Sequence, residues 1–305
     1  MTITDGGPKR ALHGWLILDK PKGLTSTQAL GKVRRLLGGK KAGHGGTLDP
    51  LATGVLPLAF GEATKLITYV MDGDKEYEFT IRWGEERSTD DSEGEITAES
   101  SARPSEKDIL SALPRFTGSI SQVPPAFSAV RLGGERSYDI ARSGRKPELS
   151  PRQVKVNEFE LLGMPDPDHA RLRVSCGKGM YVRSLARDLA RFLGVYGHVS
   201  DLCRTRVGPF RIEKAISLEK LEELKHKGKA LKAMLAIGAA LDDIPGLSLT
   251  AGEAQRLRRG QSLLIRPQHL DLLNSPVLLA EHQGTPVAIV EPKGGEFRVL
   301  RGFNF

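Results

Sequence analysis

Gly43-His44-Gly45-Gly46-Thr47-Leu48-Asp49-Pro50-Leu51-Ala52-Thr53-Gly54 is the most unusual stretch of this 305-residue chain. Glycines at 43, 45, 46 and 54 open backbone conformations that other residues avoid and let another molecule approach closely. Pro50 biases Asp49 toward an extended conformation and so restricts where its carboxylate points. An aspartate on a stiff turn is suited to act as a nucleophile or a general base. Local chemistry by itself favours a plainer use, an Asx-turn in which Asp49 caps its own backbone. The spacing is not that of a P-loop, and no G-x-S-x-G elbow accompanies His44-Gly45-Gly46. No second carboxylate is singled out as a glycosidase partner, and neither H-E-x-x-H nor an EF-hand loop occurs.

Upstream, Trp15-Leu16-Ile17-Leu18 predicts a short buried strand, closed by Asp19-Lys20-Pro21-Lys22-Gly23. Thr25 with Gln28 forms a capping-box signature, and Leu30, Val33 and Leu37 line one face of the helix it starts, up to Gly38-Gly39. Downstream, Ala63, Leu66, Ile67 and Val70 recur at helical spacing. Tyr77, Phe79, Ile81 and Trp83 then alternate with Glu78, Thr80 and Arg82, as in a strand with one buried face. The acidic stretch 84–104 reads as a loop. Residues 119–150, with Pro124-Pro125, Gly133-Gly134 and Gly144, read as an excursion from the core. Arg171 to Cys176 alternates as a strand and turns at Gly177-Lys178-Gly179; a helix follows with Leu185, Leu189 and Phe192 on its apolar side. Residues 214–242 read as helical. Beyond Asp242-Asp243-Ile244-Pro245, Thr250 and Glu253 cap a short helix that Gly260 ends, and strands are predicted at 276–280, 286–291 and 297–301. This pattern is a large α+β domain followed, from about 243, by a small β-rich one.

Hydrophobic residues make up 39% and charged residues 27%, a composition able to build a sizeable core. Only Cys176 and Cys203 are present, with no C-x-x-C pair, which argues against a zinc site and a secreted disulfide framework. Met1 to Lys9 lacks the apolar run of a signal peptide, and no stretch approaches the roughly 20 apolar residues of a membrane helix. A reducing cytoplasm fits best. The net charge of +8 is unevenly spread: residues 171–206 hold eight basic side chains against two acidic, and the first 46 hold nine against two. Such blocks fit a polyanion partner, or simply a solubilising surface.

Gly43 through Gly54, continued by Val55-Leu56, closely resembles the catalytic motif of TruB-type pseudouridine synthases. Further segments match in order: Leu18-Asp19-Lys20-Pro21 with Gly23 and Ser26; Lys75-x-Tyr77; Gln122-x-Pro124-Pro125-x-Phe127-Ser128-Ala129; and Gly179-x-Tyr181-Val182-Arg183-Ser184-Leu185-Ala186. The tail from about 247 resembles the small RNA-binding PUA domain of many members, so the resemblance covers almost the whole chain. Phe127 stands where a Tyr is common, and Thr89-Asp90-Asp91-Ser92 only approximates the usual T-D-T-x-D stretch.

The resemblance implies an α+β fold: a catalytic domain over 1–242 with a mixed, mainly antiparallel sheet flanked by helices, and a PUA-like domain over 243–305. Residues 119–150, with Arg131, Arg136, Arg142 and Arg145, become an RNA-gripping insertion. The implied activity is conversion of uridine-55 in the T loop of tRNA to pseudouridine after base flipping. Asp49 is the implied catalytic carboxylate, Arg183 the cation that keeps it charged and aimed, and Tyr77 a group stacking on the target base. His44, Tyr181, Leu202 and Lys20 are the implied substrate-binding residues, with Arg204 positioning phosphates or supporting the site. For Tyr77 and Leu202 a plain core role competes. No metal, organic cofactor, membrane or obligate protein partner is implied. The length of 119–150 and the brevity of the tail favour a stand-alone enzyme over the guide-RNA-dependent branch. An RNA chaperone remains a reading from another class, with Asp49 and Arg183 as the discriminating residues.

Overall fold

Trp15 to Leu18 is buried at every position because its strand is covered on both faces. The computed structural model that shows this describes residues 12–241 and 244–304. The boundary expected at 242/243 and the Met1–Lys9 stretch lie outside the described residues. The chain opens with β1 (Gly14–Lys20), α1 (Ser26–Leu37), β2 (Ala42–His44), β3 (Thr53–Phe60), α2 (Ile67–Asp72) and β4 (Lys75–Trp83). The hairpin β5 (Glu85–Arg87) and β6 (Ile96–Glu99) follows, then α3 (Glu106–Ala112) and β7 (Gly118–Gln122). A two-stranded turn, β8 (Arg131–Leu132) and β9 (Glu135–Arg136), leads through α4 (Ser137–Arg142) into β10 (Arg152–Asp166), β11 (His169–Cys176) and α5 (Val182–Phe192). Next come β12 (Gly197–Val207), β13 (Phe210–Arg211) and α6 (Leu218–His226). The tail holds β14 (Gly246–Ser248), α7 (Ala251–Arg258), β15 (Leu263–Leu264), β16 (Leu278–His282), β17 (Thr285–Lys293) and β18 (Glu296–Gly302).

The main sheet runs β1-β3-β12-β4-β11-β10-β7, with β2 on β3 and β13 on β12. Its described pairings are antiparallel apart from β3 with β12, which run parallel through Cys203/Thr53 and Arg204/Gly54. The fold is thus α+β with a mixed, mainly antiparallel sheet, as the sequence implied. The tail forms a second sheet, β14-β16-β17-β18-β15.

Period-two alternation sorts the central strands between two cores. Leu16, Leu18, Leu56 and Leu58 face a large cluster with Phe79, Ile81, Trp83, Leu185 and Leu189. Trp15, Ile17, Val55 and Ala59 face a second cluster that takes Leu279, Ile289 and Phe303 from the tail. The Trp15 indole donates to Ile237 O at 3.1 Å, and Lys65 reaches Gly302 O at 2.7 Å, so polar contacts reinforce that seam.

The capping box at Thr25 forms as expected, and Gly38, at φ 72°, ends α1 in the left-handed region that a glycine enters without strain. Other expectations need correcting. Val55–Phe60 is a strand where the reading passed straight from loop to helix. Residues 84–104 contain the β5–β6 hairpin rather than a plain loop. Residues 118–122 belong to the main sheet as its edge strand, paired with β10, so the excursion begins only after Gln122. Among the described residues of 214–241, helix is confined to α6 and short 3₁₀ turns. Phe192 is 51% exposed, shielded by Arg115 at 5.0 Å and by the edge of Phe116. No helix among the described residues is long and apolar enough to cross a membrane.

Candidate active site

The Asp49 loop leaves β2, crosses the end of α1 and enters β3, and nearly every peptide in it is clamped. Gly45 N–H donates to Pro57 O at 2.7 Å. Ser26 Oγ, at the first turn of α1, accepts from Leu48 N at 2.8 Å and donates to Leu48 O at 3.1 Å. Leu48 and Leu51 are buried on either side of the aspartate. Gly54 sits at φ 97°, and a Cβ there would come within 2.3 Å of Arg204 O, so this position admits no side chain.

Two buried cations grip the loop from beneath. Arg204 donates through Nε to Val55 O (2.9 Å), through Nη1 to Thr47 O (3.3 Å) and through Nη2 to Gly46 O (3.0 Å). Lys20 Nζ donates to Leu24 O (2.7 Å), Pro21 O (2.9 Å) and Pro50 O (3.4 Å). Both side chains are almost wholly inaccessible, so neither reaches a phosphate. Lys20, expected at the substrate, is placed with its ammonium on the carbonyls of its own turn and of the Asp49 loop. Burial pushes the Lys20 ammonium down to about 8, opposed by the Asp49 charge.

Asp49 makes no Asx-turn among the described residues. Its Oδ2 lies 3.0 Å from Arg183 Nε, and its side chain remains 37% exposed while that of Arg183 is 5% exposed. One edge of the carboxylate is therefore held and the other is open. Arg183 comes from the first turn of α5, donates to Thr89 O (2.9 Å) and Phe127 O (2.9 Å), and lies 3.5 Å from the Asp91 carboxylate. Two carbonyl hydrogen bonds and two ion pairs orient the guanidinium beside Asp49.

Tyr77 and Arg204 are cross-strand partners, as are Phe79 and Leu202, so all four side chains share one face of the sheet. Tyr77 is half-buried against the large core, and burial holds its phenol above the usual range. Leu202 is buried in that core. Tyr181, just before α5, is anchored through its backbone by the Gln122 amide, which accepts from Tyr181 N (2.8 Å) and donates to Tyr181 O (3.2 Å). Burial raises the Tyr181 phenol as well. His44 ends β2 with its Nδ1 buried and without a hydrogen-bond partner among the described residues. Burial, then the Arg204 charge, pushes its imidazole below the usual range.

The sequence reading missed Asp91, Thr89, Phe127 O and Gln122, the groups that hold Arg183 and Tyr181 in place. It also left the basic block 171–206 as either a polyanion surface or a solubilising one, without the ion pairs that occupy it. Arg171 lies 3.6 Å from Glu78, Arg173 2.6 Å from Glu160, Lys178 2.8 Å from Asp72 and Arg206 4.0 Å from Glu76. Arg187 and Arg191 meet Asp90 and Glu86. By contrast Lys22, Lys32, Arg34, Arg35, Lys40 and Lys41 are exposed and have no carboxylate within 4.0 Å among the described residues.

Residues 34–182 match the family described as "TruB family pseudouridylate synthase (N terminal domain)", and residues 183–237 match "tRNA pseudouridylate synthase B C-terminal domain". A protein of Bradyrhizobium diazoefficiens named tRNA pseudouridine synthase B is 49% identical over 301 residues, covering 97% of this chain and 87% of that protein. One of the same name from Caulobacter vibrioides is 46% identical over 300 residues, 96% of this chain and 97% of that one. Among solved structures, a chain from a Cbf5-Nop10-Gar1 complex superposes with a TM-score of 0.73 at 25% identity, over 100% of this chain and 91% of its own.

Proposed function

Because the chain belongs to the TruB family of pseudouridylate synthases, we propose that it isomerises uridine-55 in the T loop of tRNA, with Asp49 as the catalytic carboxylate. The observation that carries this reading is the half-held Asp49: one edge paired with Arg183 at 3.0 Å, the other open, on a loop held by Ser26 and Arg204. The nucleotide rearranges within itself. The N1–C1′ bond breaks, a C1′–C5 bond forms, C5 gives up its proton and N1 gains one, so nothing else is consumed. Asp49 is the charged group at the ribose–base junction, Tyr77 stacks on the base, and Tyr181 and Leu202 wall the pocket. Taking the base out of a folded loop costs a few kcal/mol. The His44 ring, at the end of β2 beside the Asp49 loop, fills the gap left in the RNA stack.

The arm from 123 to 151 grips the T stem, and the tail acts as a PUA-like RNA-binding module. The enzyme works in the cytoplasm on bare tRNA without a guide RNA; the name of its relatives, tRNA pseudouridine synthase B, supports the tRNA substrate. Incubation with unmodified tRNA and mapping of pseudouridine tests all of this. Modification of position 55 without guide RNA is expected, and Asp49→Asn abolishes it while tRNA still binds. Full activity in that variant, or modification at another site, contradicts the assignment.

A further inference from the structure

Arg183, Arg187 and Arg191 lie at i, i+4 and i+8 and form one stripe along α5. Each meets an acidic side chain from the β5–β6 hairpin: Arg191 with Glu86 (2.8 Å), Arg187 with Asp90 (2.9 Å) and Arg183 with Asp91 (3.5 Å). Exposure falls along the stripe, from 55% at Arg191 through 11% at Arg187 to 5% at Arg183. The middle rung does more than pair. Arg187 Nη2 also donates to Val123 O at 2.9 Å, where Ser184 Oγ donates at 2.8 Å. One guanidinium thus bonds at once to the hairpin tip and to the start of the 123–128 segment. Those two segments supply Thr89 O and Phe127 O, the carbonyls that orient Arg183.

We propose that Arg187, with Asp90, is a positioning residue: it clamps together the two loops that aim Arg183, and through Arg183 it sets the direction of the Asp49 carboxylate. This rests on the function proposed above. Asp90 is held at φ 59°, in the left-handed region that non-glycine residues seldom occupy, so the hairpin tip is shaped to deliver this carboxylate. Burial raises its carboxyl to about 6 against the opposing pull of Arg187. A buried pair of that kind adds little net stability, because desolvation offsets attraction. Its worth lies in geometry.

The test compares Arg187→Met, Arg187→Lys and Asp90→Asn with wild type and with the outer-rung control Arg191→Met. Single-turnover rate on unmodified tRNA, tRNA Kd and Tm are read for each. Arg187→Met and Asp90→Asn are expected to lower the rate at saturating RNA about 10-fold or more, the scale on which a slightly misplaced group loses rate. Their Kd stays near that of wild type. Arg187→Lys falls between, because an ammonium lacks the fork needed to reach Asp90 and Val123 O together. The exposed Arg191 pair is worth little, so Arg191→Met keeps wild-type rate. Wild-type rates in Arg187→Met and Asp90→Asn overturn the inference. So does a loss confined to Kd, or a rate loss that vanishes when each variant is assayed at the same interval below its Tm. Absence of pseudouridine with wild type overturns the functional reading and this inference with it; active wild type beside unaffected variants overturns the inference alone.

Discussion

The arginines of α5 and β12 and the basic residues around α1 carry the same charge but meet different surroundings. Arg183, Arg187 and Arg204 turn inward, where carboxylates and backbone carbonyls take up their donors. Lys32, Arg34, Arg35, Lys40 and Lys41 turn outward, with no carboxylate within ion-pair reach among the described residues. A count of charges along the chain treats the two groups alike. Burial and counter-charge separate them: the inward cations shape the site, and the outward ones remain available to an RNA backbone. The proposed function therefore predicts that rate follows the first group and affinity the second.

The sharpest way to break that division is Arg183→Lys. A lysine keeps the charge but cannot bond Asp49, Thr89 O, Phe127 O and Asp91 in one plane. The single-turnover rate is expected to fall about 100-fold or more, as for a reacting group displaced by about 1 Å, with tRNA Kd unchanged. Lost affinity at unchanged rate would make Arg183 a phosphate contact instead.

Neutralising the outward set together, Lys32→Gln, Arg34→Gln, Arg35→Gln, Lys40→Gln and Lys41→Gln, should do the reverse. Affinity at moderate salt falls on the order of 10-fold, and the slope of log K against log salt becomes shallower by up to about 0.7–0.9 for each phosphate contact removed. The rate at saturating RNA holds. Arg171→Gln with Arg173→Gln, whose charges are matched by Glu78 and Glu160, serves as the comparison and should shift the salt slope less. Equal effects of the two sets would erase the distinction.

The smallest effect concerns Lys20. Its pKa lies near 8 in the fold, below the ordinary 10.5. Between those values the unfolded chain binds more protons than the folded one, so this group's contribution to stability rises with pH across that window. Denaturant titrations at pH 7.5 and 9.5 should show wild type gaining on Lys20→Met by on the order of 1–2 kcal/mol at the higher pH. A gap that widens in the other direction rules out the buried ammonium as its source.

Local order was legible wherever neighbours in sequence are neighbours in space. The Thr25/Gln28 capping box, the alternation of Tyr77 to Trp83 and the Thr250/Glu253 cap all settle within a few residues. Val55 to Phe60 escaped because Gly54 and Pro57 interrupt it, and a strand buried on both faces shows no alternation. The acidic hairpin escaped because its partners lie about a hundred residues away, Arg183 from Thr89 and Arg191 from Glu86. The same distance made the basic block look unpaired. At the site, Asp49 and Arg183 were named from family likeness and are found in contact. The carbonyls that aim the arginine carry no sequence signature, since any residue supplies one.

The two cores meet across a single thickness of sheet, with β1 and β3 as a common wall. Trp15 and Leu16 are adjacent in the chain yet belong to opposite sides of it, and Phe303 of the tail packs in the same core as Val55 and Ala59 of β3, the strand that begins at the end of the Asp49 loop. The tail thus shares a packed wall with the strand that carries the Asp49 loop into the sheet, a link made of side-chain volume rather than of charge.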